Sequence, residues 1–85
     1  MTRTEILHQA QALITGDRQA QYGDAQDSFT RIAGLWSAYL GSPVSPRDTA
    51  VMLVLLKCSR ERNTRQADNL IDIAGYAALA VELKG

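Results

Sequence analysis

Eighty-five residues, 46% of them hydrophobic, are enough for one folded core and too few for two independent ones. Nine basic and nine acidic side chains cancel, which removes the electropositive field needed to wrap duplex nucleic acid. One cysteine, no signal-peptide pattern and a longest apolar run confined to Ala50–Leu56, against about 20 residues for a bilayer span, predict a cytoplasmic protein without a disulfide or membrane segment.

The opening TRTE offers Thr2 as an N-cap with Glu5 three places on, a capping box. Ile6, Leu7, Ala10, Leu13 and Ile14 then recur at helical spacing, and Gly16 is placed to close the helix in a left-handed conformation. Residues 17 to 27, DRQAQYGDAQD, break the pattern and gather an arginine, a tyrosine, a glycine and three aspartates at a bend. Phe29, Ile32, Ala33, Trp36 and Leu40 mark a second helix from about Asp24, capped by Asp24 or Asp27 and ended by Gly41. After the loop GSPVSPRD, Ser45 as N-cap, Pro46 at the first position and Asp48 in the first turn start a third helix that runs to about Arg62. Asn63 is the expected left-handed residue of the next turn, and a fourth helix runs from about Gln66 to Leu83. No stretch alternates with the period of a strand.

The expected architecture is therefore all-α: one domain over residues 1–85, a small four-helix bundle with antiparallel neighbours across its short links. Residues 50 to 56 are apolar on every side of the third helix, more surface than three partner helices cover. A homo-oligomer is expected to complete the bundle, a dimer being its simplest form. Trp36 and Tyr39 are expected in the core or at that interface, and Cys58 is expected as a buried thiol.

The third helix carries Lys57 and Arg60 on one face, and the fourth carries Asp68 and Asp72, with Tyr76 continuing the stripe. Counted outward from the turn, Arg60 lies level with Asp68 or Asn69 and Lys57 with Asp72. Such pairs contribute little when exposed, and when buried their desolvation can exceed the Coulombic gain. A lysine following seven apolar residues points instead to a polar pocket. If the bend folds against this hairpin it brings Arg18, Tyr22 and Asp24 toward Lys57, Asp68 and Asp72, with Gly23 allowing close backbone approach. Guanidinium and ammonium groups, helix-start amides and a flat aromatic suit a phosphate joined to a base. The expected partner is thus a nucleotide or another phosphate-bearing small molecule. The candidate ligand-binding set is Arg18, Tyr22, Asp24, Lys57, Arg60, Asp68, Asn69, Asp72 and Tyr76; it includes no catalytic residue, metal ligand or cofactor. His8 lacks a second ligand at zinc spacing.

In the order GDRQAQYGD, IAGLWSAYLG, LLKCSR and DNLIDIAGYAAL, the chain resembles a family of small domains encoded by bacteriophages and prophages, over nearly its whole length. That resemblance implies a phage protein acting in the host cytosol, and by analogy one that sequesters a nucleotide signal of host anti-phage defence. More distantly, DNLIDIAGY is similar to the last core helix of the all-α MazG-like nucleotide pyrophosphohydrolases, whose acid-x-x-Asp motif is followed by an aromatic. That similarity implies magnesium-dependent hydrolysis as the alternative activity. Here, however, Asn69 stands at the first motif position, Asp68 is one place early, and Lys57 and Arg60 occupy the helix that should supply further carboxylates. Asp24 and Asp27 are the residues left to restore a four-acid set. A third reading is an interaction module whose polar pairs set helix register.

Overall fold

The computed structural model describes residues 1–17, 21 and 23–85, with the backbone alone at Asp17. Four α-helices account for most of them: α1 (Arg3–Ala12), α2 (Ala25–Leu40), α3 (Pro46–Asn63) and α4 (Ala67–Glu82). The start signals work as the residue types demand. Thr2 and Glu5 close a reciprocal capping box on α1, and Ser45 and Asp48 close another on α3, with Pro46 at its first position. Asp24 caps α2 by accepting the Asp27 amide at 3.3 Å, and Gly41 ends that helix at φ +69°, where a side chain would be strained. The Ser37 hydroxyl accepts the Val44 amide at 2.8 Å and donates to the Val44 carbonyl, which pins the α2–α3 loop.

Two predicted stops are corrected. Gly16 does not turn left-handed; α1 runs on into a π-helical turn, Leu13–Asp17, and the positive φ falls at Gly23 instead. Among the described residues a side chain at Gly23 would meet nothing within 4 Å, so there the glycine serves the turn. Asn63 is the last helical residue of α3 and has no positive φ; the chain reverses through extended backbone at Thr64 and Gln66.

The most extensive helix pair is α3 with α4, and it is antiparallel: Glu61 meets Asn69, Lys57 meets Asp72, and Gly85 lies beside Pro46. α1 packs on the outer side of α4, and α2 packs on α3. Phe29, Ala50, Leu79, Ala80 and Leu83 form the core cluster, with Ile14, Ala25, Leu53 and Tyr76 against it. Phe29 is fully enclosed and meets Tyr76 edge to face, ring centroids 6.4 Å apart. Four of the buried apolar residues are only alanines (Ala10, Ala33, Ala50 and Ala80). Leu53 of α3 turns toward this core, but Val51, Met52, Leu55 and Leu56 of the same helix are exposed, as is Cys58, contrary to the expected buried thiol. Among the described residues no helix is long and apolar enough to cross a membrane.

Candidate functional site

The α3–α4 hairpin sets the polar side chains. Lys57 extends from the half-buried flank of α3 and its Nζ lies 2.8 Å from Asp72 Oδ2; the two side chains are only 15% and 26% exposed. This is the ion pair expected from counting outward from the turn, and it is the only one among the described residues. Asp72 also lines a groove of about 410 Å³ between α1 and α4, together with Gln9, Ala12, Leu13, Asp68 and Ile71. Asp68 and Asp72 stand one helical turn apart on its α4 wall. On the other wall, Leu13 begins the π-turn that leads the chain into the polar stretch after Asp17.

The remaining candidates lie elsewhere. Arg60 and Asn69 are level with each other, as counted, but line a second hollow of about 320 Å³ at the hairpin tip, with Ser59, Asn63, Thr64 and Gln66. The buried Asn69 side chain donates to Glu61 Oε1 and to the Thr64 carbonyl, both at 3.2 Å, and so clamps the turn. Tyr76 packs edge-on against Phe29 at the core margin. Asp24 is spent on the α2 cap. Arg18 and Tyr22 lie outside the described residues. No group of three or more His, Cys, Asp or Glu converges at metal-holding distance among the described residues.

Sequence reasoning missed Glu61. Its carboxylate accepts the Gln66 amide at 2.9 Å and the Asn69 amide group, and these bonds, with Arg65 nearby, hold its pKa below the ordinary 4.5. A lowered folded-state pKa stabilises the fold above the unfolded-state value, and the contribution is lost as pH falls through the lowered one. Acidification from pH 5 to pH 3 is therefore expected to lower the Tm of the wild type more steeply than that of Glu61→Gln, read by circular dichroism. Parallel slopes would remove Glu61 from the acid limb. Gln9 and Leu13 were also missed, because at helical spacing they read as an ordinary amphipathic stripe.

Comparison with known proteins sets this small helical chain among proteins encoded by bacteriophages. It is similar to the Gene 55 protein of Mycobacterium phage L5, 43% identical over 81 residues that cover 93% of this chain and 52% of that protein. The Gene 55 protein of Mycobacterium phage D29 is 41% identical over 73 residues, covering 85% and 48%. The chain belongs to the family described as a domain of unknown function, DUF6378, which matches residues 5–84. It spans about half the length of these two relatives. No solved structure matches it.

Proposed function

We propose that this chain is a phage-encoded binder of a nucleotide or a related phosphate-bearing small molecule, held at the α1–α4 groove. The observation that carries the reading is the Lys57–Asp72 pair beside that groove. Half-buried opposite charges add little that apolar side chains of the same volume would not supply, so a chain that had only to fold gains nothing from keeping them there. A volume of about 410 Å³ falls in the range of about 300–1,000 Å³ usual for small-molecule sites. The chemistry of the walls divides the ligand. Asp68 and Gln9 suit hydroxyl and amine donors of a ribose or base. Lys57, which reaches Asp72 at the edge of the groove, and Arg18, the cation the sequence offers and one outside the described residues, suit its phosphate. A phage protein that holds a nucleotide without consuming it fits sequestration of a host defence signal, a role argued by analogy.

The two aspartates one turn apart on the groove wall favour one alternative, magnesium-dependent hydrolysis of the same ligand class. One experiment separates the readings: a thermal-shift panel of linear and cyclic nucleotides, with and without magnesium, followed by product analysis. A bound ligand at 100 times its Kd adds about 2.7 kcal/mol, which for a chain this size raises Tm by roughly 10 °C or more. The expected result is such a rise without product, abolished by Lys57→Ala and by Arg18→Ala. Pyrophosphate release that Asp72→Asn eliminates would establish the hydrolase instead. No response to any nucleotide would leave the polar pairs as register devices in an interaction module.

A further inference from the structure

The α2–α3 side of the molecule shows an inverted distribution of side chains. Val51, Met52, Leu55 and Leu56 recur at the spacing of one helix face, and all are exposed, Leu55 by 62%. Trp36, Tyr39 and Leu40 of α2 meet Met52 around an apolar hollow of about 410 Å³, and Tyr39 is 90% exposed. No charged residue interrupts this surface between Val51 and Leu56. Alanines meanwhile occupy half of the buried apolar positions among the described residues.

The whole chain carries the same mark. It presents 5927 Å² of accessible surface, where a compact monomer of 9.3 kDa presents about 5,000 Å². Its radius of gyration is 13.3 Å, against about 12 Å for a compact domain of 85 residues. An excess of roughly 900 Å² approximates the share each partner contributes to an interface of standard size.

We propose that this face joins two copies of the chain about a two-fold axis, with the α3 helices crossing antiparallel near Leu55. The stripe itself selects a second copy over an unrelated occupant. Asp48 and Arg62 lie on it, each seven residues from Leu55 and at opposite ends, and both are exposed. Antiparallel pairing about Leu55 sets the acid of each copy level with the base of the other, and sets Met52 against Cys58. A stripe with an apolar centre and opposite charges at its ends is complementary to itself in this orientation, as an isologous contact requires. The groove at Asp68 and Asp72 is built from α1 and α4, so the dimer stands or falls separately from any ligand.

Sedimentation equilibrium across a dilution series tests the contact. The wild-type chain is expected at twice 9.3 kDa. Leu55→Glu sets two carboxylates against each other at the axis and is expected to raise the dimer dissociation constant by at least 100-fold, with helical circular dichroism retained. Tyr39→Glu repeats the test on the α2 flank should Leu55→Glu fail to fold. Arg62→Glu is expected to weaken the dimer about 3- to 10-fold. Adding Asp48→Asn, which keeps an oxygen for the Ser45 amide, should recover part of that loss. A wild-type chain that stays monomeric at every concentration, or a dimer that the carboxylates at positions 55 and 39 leave intact, overturns the proposal. An Arg62→Glu chain that associates as the wild type does overturns its antiparallel register.

Discussion

Replacing Phe29 with alanine is expected to leave little or no folded protein at 37 °C. Among the described residues Phe29 is the largest side chain with no exposure at all, and it joins α2 to Ala50 of α3, to Leu79 and Ala80 of α4 and to Leu83 just past its end. Large-to-alanine changes at such sites cost about 3–5 kcal/mol, through lost transfer energy and the cavity left behind. A chain of 85 residues has a total stability of about 4–13 kcal/mol at usual per-residue values. The neighbours are poorly able to collapse into the void, because Ala50 and Ala80 are already small and Leu83 is held by the chain end, where the Lys84 amide donates to Gln26 at 2.9 Å. Phe29→Leu keeps most of the volume and gives up the edge-to-face contact with Tyr76, worth about 0.5–1.5 kcal/mol beyond area. Urea unfolding followed by circular dichroism should thus show a modest midpoint shift for leucine and a collapse of the transition for alanine. Equal shifts would mean that Phe29 is not the joint of the fold.

What could be read from the sequence divides along a physical line. Starts of helices were legible because a cap is chemistry within four residues: Thr2 with Glu5 and Ser45 with Asp48 bond as their spacing requires. Register across the α3–α4 hairpin was legible for a related reason. A short turn between two helices leaves one antiparallel pairing, and Lys57 meets Asp72 in it. Stops were less so. Gly16 and Asn63 tolerate the left-handed conformation without requiring it, and extended Thr64 and Gln66 accomplish the turn that Asn63 was expected to make. The uncovered side of α3 could not be read at all, since a run that is apolar all round carries no marker of which face its neighbours take. Cys58 fell on the open side. The grouping of polar residues depended on the same information: Arg60 and Asn69 share a hollow at the tip, while Asp68 and Asp72 face α1, a helix to which the sequence pattern assigned no role in the site.

The second large effect separates a charge kept for function from one kept for folding. Asp72→Ala removes the carboxylate 2.8 Å from Lys57 and strands an ammonium that is only 15% exposed. Breaking a fully buried pair in this way costs about 3–5 kcal/mol. The partial exposure of Asp72 lets water and salt screen the lysine, so about 2 kcal/mol is expected here. Lys57→Met takes the other partner away, but leaves a carboxylate that already opens onto the groove and can be hydrated there, so its expected cost is under 1 kcal/mol. The double variant should regain most of what Asp72→Ala alone lost, because no unpaired charge remains to be desolvated. Urea midpoints for the four proteins close this cycle. Recovery in the double variant, with the nucleotide-dependent rise in Tm absent from it, identifies the pair as a cost borne for the ligand. A double variant that stays as unstable as Asp72→Ala would show that Lys57 and Asp72 each anchor the hairpin through packing, and the groove would then lose the observation that recommends it.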